Sequence, residues 1–188
     1  MISTRHNLAW LLILSACVVL VDQLTKLTVL NHIPVGGSVT VIPNAFQITR
    51  RFNNGFCFGV LSKWPSHHAN GLALSLMVAA TMIVAIALLS LGKRLTVLTV
   101  CLALYFGCAL GNLADQFVYG GSVDFLSVSI FGHHWPDFNV ADISATAADI
   151  LLLIYFLLRR SSAVAELRAL RNVFRLDWVR ARLQNRAI

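Results

Sequence analysis

The sequence predicts a mainly α-helical membrane protein with four transmembrane helices, a small extracytoplasmic β-sheet and a C-terminal amphipathic helix. Hydrophobic residues make up 57% of its 188 residues and charged residues only 12%, whereas about 25% of an ordinary soluble protein is charged. A bilayer is the solvent that tolerates such a composition. Four stretches also approach the roughly 20 mostly apolar residues that a membrane helix needs. They run from about Leu8 to Leu30, from Leu72 to Leu91, from Leu95 to Ala114 and from Ala141 to Leu158.

The basic residues predict the orientation of these spans. One side of the membrane would hold Arg5, Lys93, Arg94 and the eight Arg residues after Leu158. The other side would hold Arg50, Arg51 and Lys63. Because cytoplasmic segments carry the excess of Lys and Arg, both termini are expected in the cytoplasm and the two longer connections outside. The net charge of +7 therefore suggests an anionic membrane surface as a partner rather than nucleic acid.

The N-terminal span contains a motif with a second interpretation. The residues from Leu14 to Cys17 match the box at which bacterial lipoproteins are lipidated and cut. The chain after Cys17 stays apolar and offers no polar tether, and a cut there would remove half of the first span. We therefore interpret this motif as part of a transmembrane helix.

The first outward connection predicts a β-hairpin lying on the membrane. Its sequence VGGSVTVIPNAFQITRRF, residues 35–52, repeats Val and Thr between turn residues. Pro and Gly divide this stretch into short pieces. The connection therefore supplies the small sheet of the predicted fold.

The residues after Leu158 predict a separate segment, so that the chain divides into a membrane domain at 1–158 and a basic tail at 159–188. One helix face would carry the apolar residues Leu167, Leu170, Phe174, Trp178 and Ala181. A second stripe would carry Arg168, Arg171, Arg175, Arg182 and Arg186. This pattern is typical of a helix on the cytoplasmic leaflet, and a solvated or partner-binding tail is the alternative.

Five polar groups occur at the outer ends of the predicted spans, where Asp and Asn are costly. They are Asp22–Lys26, Asn53–Phe58, Gly111–Asp115, Val123–Phe125 and Phe138–Asp142. Three have ordinary structural explanations: an i,i+4 ion pair in the first, a turn in the second and a helix cap in the last. Their convergence at one membrane depth favours a functional site.

The two strongest candidates for chemistry in this set are Asp124 and Asp142. They lie on different segments, so folding can bring them together. Two carboxylates in a low-dielectric site do not both ionise easily and titrate as a pair. One can then act as a base on water while the other polarises a carbonyl. We expect Asp142 to ionise more readily, because it lies in the first turn of a helix.

The motifs DQLTK, NNGFCF, GNLADQ, VDF and FNVAD occur in an order and spacing that resemble the lipoprotein signal peptidase (signal peptidase II) family. The resemblance covers residues from about Leu8 to Leu158. It implies four membrane helices, an outward β-cradle and a periplasmic helical segment over the active site. It also implies an aspartyl endopeptidase of the bacterial inner membrane that cuts prolipoproteins just before their diacylglyceryl-modified Cys.

The resemblance assigns roles to individual residues. The catalytic pair would be Asp124 and Asp142, with the site near the periplasmic face. Substrate binding and support of the site would fall to Asp22, Lys26, Asn53, Gly55, Asn112, Asp115, Gln116 and Asn139. Among these, Asn53 and Asn139 would contact the substrate backbone. Membrane lipids and globomycin-type cyclic peptide inhibitors are the other expected partners, and a monomer is the expected state.

Three features depart from the family pattern. Gln116 stands where the family usually has Arg, and Phe56-Cys57 replaces a pair of small residues. Both changes bear on substrate affinity and selectivity. Asp149, about two turns below Asp142, matches no motif of the family. It is expected to be protonated or to pair with a polar group of another span.

Other classes of protein fit the sequence less well. A transporter would spread its acids through the membrane depth, and here only Asp149 is deep. A non-catalytic relative that binds lipoproteins or acts as an assembly factor would not need both Asp residues of the pair, although Gln116 keeps this alternative open. A metal site is not expected, because His67-His68 and His133-His134 are adjacent pairs whose side chains diverge and no HExxH motif occurs. A Ser-Lys peptidase would need Lys26, which Asp22 already engages. No cofactor is predicted.

Overall fold

The computed structural model describes residues 4–53 and 66–173. The helices are α1 (Thr4–His32), α2 (Ser66–Leu91), α3 (Val97–Tyr119), α4 (Val140–Leu158) and α5 (Arg160–Val173). The strands are β1 (Ser38–Ile42), β2 (Phe46–Asn53), β3 (Ser122–Ile130) and β4 (His133–His134). The predictions that fall outside the described residues concern Gly55, Phe56, Cys57, Lys63 and the tail beyond Val173.

Four of the described helices are long and apolar enough to cross a membrane. Their membrane-spanning parts are His6–His32, Leu74–Leu91, Val97–Tyr119 and Val140–Leu158. They coincide with the four spans expected from hydropathy, apart from their ends. The prediction of a mainly helical, multi-pass membrane protein is therefore confirmed.

Helix α3 continues past Ala114, where the sequence had suggested that the third span ends. It stops at Gly120, whose φ of 73° is a left-handed conformation that glycine adopts without a steric penalty. Asp115 had been interpreted as the polar end of this span. It is only 1% exposed and forms an ion pair with Lys26, so it can lie inside the helix.

The sheet is antiparallel with strand order β1-β2-β3-β4. Strands β1 and β2 form the predicted hairpin, with Ser38 opposite Thr49. Strand β3, which the sequence analysis did not predict, pairs with β2 and places Asn53 opposite Ser122. The implied helical segment over the site is not found in the described parts of the two connections, residues 33–53 and 120–139.

Helix α3 lies at the centre of the bundle and packs against α1, α2 and α4. Its approach to α1 is close at two glycines. A Cβ at Gly107 would lie 2.7 Å from Cβ of Val18, and one at Gly111 would lie 2.7 Å from Oδ2 of Asp22. Both distances are shorter than real Cβ contacts. Glycine at these positions therefore allows α1 to bring its polar residues against α3.

The sheet is attached to the C-terminal end of α1. Arg50 of β2 donates hydrogen bonds to the carbonyls of Leu30 and Ile33, at 2.9 and 3.2 Å. Those carbonyls lie at the end of a helix, where intrahelical donors run out. Phe125 of β3 packs against Val29 and Ile33 in a small apolar core. These contacts hold β2 and β3 over the end of the bundle.

Helix α5 begins the predicted C-terminal helix and packs back onto the bundle. Ala163 is buried, and Leu170 packs against the core formed by α1, α2 and α3. Tyr155 of α4 donates a hydrogen bond of 2.7 Å to Glu166. One apolar residue of the predicted stripe therefore lies against protein rather than lipid.

Candidate active site

A polar cluster occupies the end of the bundle where α1 and α3 finish, α4 begins and the sheet is attached. It contains eight of the ten residues that the sequence analysis selected. They are Asp22 and Lys26 of α1, Asn53 of β2, Asn112 and Asp115 of α3, Asp124 of β3, Asn139, which precedes α4, and Asp142 of α4. Five separate segments of the chain therefore meet in one network.

Lys26 is the only cation in the described part of this network. Its Nζ lies 2.7 Å from Oδ2 of Asp22 and 2.6 Å from Oδ2 of Asp115. It also donates to Oδ1 of Asn112 at 3.1 Å. Lys26 and Asp115 are 1% exposed and Asp22 is fully buried. An ammonium group has three donors, so all three are engaged without water.

The two carboxylates that pair with Lys26 also hold backbone next to the candidate catalytic residues. Oδ1 of Asp22 accepts the N–H of Ala141 at 2.9 Å, one residue before Asp142. Oδ2 of Asp115 accepts the N–H of Val123 at 3.1 Å, one residue before Asp124. A buried backbone N–H needs such a partner. Asp22 and Asp115 thereby fix the start of α4 and the start of β3 relative to α1 and α3.

The orientation of the Asn112 amide follows from its neighbours. Its oxygen must face Lys26, because an ammonium group can only donate. The same oxygen accepts from Nδ2 of Asn139 at 3.0 Å. The NH₂ group of Asn112 is then directed to Oδ1 of Asp142, again at 3.0 Å. Lys26 therefore determines which end of Asn112 faces the carboxylate.

Asn139 is both a helix cap and a bridge between the two candidate catalytic carboxylates. Its Oδ1 accepts the N–H of Asp142 at 3.0 Å, and its own N–H donates to Oδ2 of Asp142 at 3.2 Å. This is the predicted capping box. Because the oxygen serves as the cap, the NH₂ group is free to face Asp124, and it donates to Oδ1 of Asp124 at 2.9 Å. Asn139 consequently touches both carboxylates.

Asp124 is buried, with 3% of its surface exposed. Asn53 donates to its Oδ2 at 3.0 Å and Ser122 to its Oδ1 at 3.3 Å. Burial raises the pKa of the Asp124 carboxyl to about 7, and the neighbouring charge of Asp142 adds to that rise. Hydrogen bonds from Asn53 and Asn139 oppose the rise. This carboxyl can therefore hold or release a proton near neutral pH.

Asp142 is half-buried, in contrast to the buried Asp124. Its two oxygens accept from Asn112 and from the backbone of Asn139, and it lies in the first turn of α4. The N-terminus of a helix favours negative charge. One carboxyl of the pair is therefore buried and the other is partly exposed.

Two of the selected residues are not in the cluster as described. Gln116 is buried, and its amide donates to the carbonyl of Gly120 at 3.2 Å, so it satisfies the end of α3. Gly55 lies outside the described residues. Among the residues that the structure describes, no three His, Cys, Asp or Glu side chains form a group that could hold a metal ion.

Three further residues, Gln23, Gly111 and Ser122, complete the network; Gln23 and Gly111 lie within the polar groups named from the sequence but had been given no role. Gln23 donates to Oδ1 of Asp115 at 2.9 Å and to the carbonyl of Gly111 at 3.1 Å. Ser122 donates to Asp124, and Gly111 leaves room for Asp22. Gln23 could have been selected as an uncharged polar residue inside an apolar span. Gly111 opens the motif GNLADQ but has no side chain to select, and Ser122 carries no comparable signal in the sequence.

A family comparison matches most of the chain. The family described as signal peptidase (SPase) II matches residues 14–158. This range contains every described residue of the polar cluster and ends where α4 ends.

Curated relatives and solved structures agree with that match. A lipoprotein signal peptidase from Staphylococcus haemolyticus is 33% identical over 146 residues, covering 78% of this chain and 89% of the relative. One from Burkholderia mallei is 37% identical over 150 residues, covering 78% and 86%. A solved structure described as a bacterial membrane enzyme is similar at a TM-score of 0.68 and 32% identity, covering 82% of this chain and 91% of that one. A second structure of the same description gives a TM-score of 0.65.

Proposed function

This chain belongs to the signal peptidase II family of peptidases, and we propose that it removes signal peptides from lipid-modified prolipoproteins. The cut would fall just before the Cys that carries diacylglycerol. The observation that carries the proposal is the contact of Asn139 with both Asp124 and Asp142. It links two carboxyl groups of different exposure at one end of a membrane bundle.

In the proposed reaction Asp142 is the general base. As a carboxylate it takes a proton from a water molecule while the water oxygen attacks the carbonyl carbon of the scissile bond. The hydrogen bonds from Asn112 and from the backbone of Asn139 support its negative charge. Its partial exposure leaves room for the water and the substrate.

Asp124 is the proposed general acid. In its protonated form it transfers the proton to the carbonyl oxygen, so that attack of water gives a neutral diol. When the C–N bond breaks, the proton held by Asp142 passes to the leaving amino group of the lipidated Cys. Asp124 regains its proton from the diol as the new carboxyl group forms. The raised pKa of Asp124 supports this assignment because it keeps the acid protonated below about pH 7.

The other cluster residues are proposed to bind or to support. Asn53 and Asn139 would contact the substrate backbone beside the scissile bond. Asp22, Lys26, Asn112 and Asp115 would hold the pair in position without contacting the reacting atoms. The burial of Asp22, Lys26 and Asp115 and the partial exposure of Asn53 support their proposed roles. Asn139 is itself fully buried, so its proposed contact with the substrate rests on the family resemblance alone.

The membrane location, the orientation and the oligomeric state of the protein are part of the same proposal. We place it in the bacterial inner membrane as a monomer, with both termini cytoplasmic and the site near the periplasmic face. The short loop between α2 and α3, with Lys93 and Arg94, supports this orientation through the positive-inside rule. Membrane lipids and globomycin-type cyclic peptides are the further proposed ligands. The membrane domain is 1–158, followed by the basic tail at 159–188.

Cleavage of a prolipoprotein by the purified protein in detergent tests the proposal. The substrate carries diacylglycerol on its Cys, and a matched substrate lacks the lipid. Mass spectrometry is expected to show a product that begins with the lipidated Cys, and little product from the unlipidated control. If the folded protein binds the lipidated substrate without cutting it, the proposal of catalysis is wrong and the non-catalytic alternative holds.

A further inference from the structure

Asp149 is a carboxylic acid in the middle of a membrane-spanning helix, and the proposed reaction does not use it. It is the central residue of α4 and is exposed on the surface of the bundle. Tyr105 of α3 donates a hydrogen bond to it. Among the ion pairs of the described residues, none involves Asp149. An ionisable group facing lipid is costly and marks a functional position.

Asp149 lies on the same face of α4 as Asp142, a residue of the polar cluster. On α4, Asp142, Thr146 and Asp149 are spaced four and three residues apart, so they share one face. Thr146 and Asp149 are both exposed. On α3, Tyr105 lies seven residues before Asn112, on the face that Asn112 shares. The face of α4 that carries these three residues, which we call the line from Asp142 to Asp149, therefore leads from the candidate active site into the membrane.

Two polar contacts between α3 and α4 mark the ends of this line. Asn112 contacts Asp142 at the end of the bundle, and Tyr105 contacts Asp149 deeper in the membrane. The seven residues between these contacts correspond to about 10 Å of helix at 1.5 Å per residue. Ser144 and Ala148 face α3 behind the line, where they contact Leu104 and Cys101. The line is therefore exposed, whereas the neighbouring face of α4, which carries Ser144 and Ala148, packs against α3.

The proposed reaction identifies what would cover this surface. A signal peptide that ends at Asp142 has its apolar part in the bilayer, running from the scissile bond toward the cytoplasm. We propose that this apolar part lies along the line from Asp142 to Asp149, and that Asp149 with Tyr105 selects a hydroxyl-bearing side chain within it. This inference rests on the proposed function.

The depth of the pair predicts which part of the signal peptide it meets. If the peptide is helical up to the scissile bond, the seventh residue before that bond lies about 10 Å away from it. If its last residues are extended, the same depth is reached about three or four residues before the bond. A Ser or Thr there can donate to Asp149 and accept from Tyr105. An apolar residue leaves both polar groups facing hydrocarbon.

The test compares diacylglyceryl-modified prolipoproteins that carry Ser or Ala at each of the third to eighth residues before the scissile bond. We expect the parent enzyme to prefer Ser in kcat/KM by about threefold to tenfold at one or more of these positions, as for hydrogen bonds in membranes. Asp149→Leu is expected to abolish that preference, and Tyr105→Phe to reduce it. Because the readout is a ratio of two substrates for one enzyme, a general loss of activity does not change it.

Ile150→Ala is the matched control, since Ile150 is exposed at the same depth about 100° around the helix from Asp149. It is expected to keep the preference of the parent. Equal cleavage of the Ser and Ala substrates by the parent at every position would overturn the inference, and so would a preference that survives Asp149→Leu. If the parent cleaves none of these substrates, the proposed function fails and this inference fails with it.

Discussion

Single side chains in the polar cluster combine a structural task with a proposed chemical one. Asn139 caps α4 with its oxygen and contacts Asp124 with its nitrogen. Asn112 faces Lys26 with its oxygen and Asp142 with its nitrogen. In each case a charge or a backbone group dictates how the amide is oriented. Each amide therefore presents donors to a carboxylate, which is the arrangement that stabilises a negative charge.

The sequence could predict which residues meet, but not how they are oriented. Asp and Asn in apolar spans are costly, so their convergence at one membrane depth indicated Asp22, Asn112 and Asp142, and the family resemblance gave them roles. The orientation of Asn112 depends on Lys26, which reaches it from another helix. Ser122 and Gly111 could not be given a role, because a Ser that follows two glycines and a Gly in a membrane helix are ordinary in sequences.

The pH dependence of cleavage follows from Asp124. Its pKa of about 7 lies above the ordinary value for Asp, so the carboxyl is protonated below that pH and loses its proton above it. As the proposed general acid it must be protonated. We expect kcat/KM to fall as pH rises through about 7, measured with a lipidated substrate at fixed ionic strength.

Asn53 provides an internal check on that assignment. Its hydrogen bond lowers the pKa of Asp124, so Asn53→Ala should move the alkaline limb of the profile to higher pH while also reducing the rate. If the alkaline limb of the pH profile stays at the same pH in Asn53→Ala, the titration of a group other than Asp124 causes that limb.

Lys26 should be necessary for stability as well as for activity. Lys26→Met leaves Asp22 and Asp115 buried without a cation, and breaking a buried pair in this way costs about 3–5 kcal/mol. We expect a large fall in Tm in detergent and a loss of cleavage. Lys93→Met, which removes an exposed Lys from the loop between α2 and α3, is the matched control and should have little effect. Similar Tm values for the two variants would contradict the role of Lys26.

At the scale of elements, the start of α4 was predicted, whereas the end of α3 and the third strand were not. The start of α4 followed from the capping pattern at Asn139. Strand β3 was not predicted, although its sequence SVDFLSVSI alternates polar and apolar residues except between Phe125 and Leu126. Such alternation is the ordinary signal of a strand in a sequence, and only the short run around Asp124 had been considered. The end of α3 was predicted too early because the buried ion pair of Asp115 hides a charge inside the helix.

The two tasks of Asn139 can be separated by substitution. Asn139→Ser keeps an oxygen that can cap α4 but has no amide to donate to Asp124. Since Ser and Asn are equally good caps, Tm should stay close to that of the parent while kcat falls about tenfold or more, as for other hydrogen bonds to charged groups. Asn139→Ala should show the same loss of kcat and a fall in stability of about 1 kcal/mol.

A result in which Asn139→Ser retains the kcat of the parent would show that the contact with Asp124 is not needed. Equal Tm values for the Ser and Ala variants would show that the cap contributes little. The two outcomes are independent, so thermal unfolding and kinetics should be measured on the same preparations.

At the scale of the whole molecule, composition and hydropathy were sufficient to predict the fold class. Four spans and the hairpin between the first two were predicted and are present. The attachment of the sheet to α1 was not predictable, because it depends on Arg50 reaching the carbonyls of Leu30 and Ile33 from another element. The packing of Leu170 against the core was not predictable either. An apolar stripe on a helix has the same residue spacing whether lipid or protein covers it.

The orientation in the membrane can be tested by labelling intact cells. Ser38→Cys places a thiol in exposed β1 and Lys93→Cys places one in the exposed loop between α2 and α3. A membrane-impermeant maleimide should label the first from outside and the second only after the inner membrane is opened. The unaltered chain, with its four native cysteines, sets the background. The opposite pattern would reverse the proposed orientation.

The central claim is that Asp124 and Asp142 act together in hydrolysis, and one comparison tests it most directly. Cleavage of the lipidated substrate is measured for the parent, Asp124→Asn, Asp142→Asn and Asp137→Asn. Asp137 is a useful control because its carboxylate, paired with Arg51, lies close in sequence but outside the polar cluster. We predict that the first two variants fold and lose cleavage by at least about a thousandfold, as for essential groups in other hydrolases, while Asp137→Asn remains active. Substantial cleavage by a folded Asp124→Asn or Asp142→Asn protein would contradict the account.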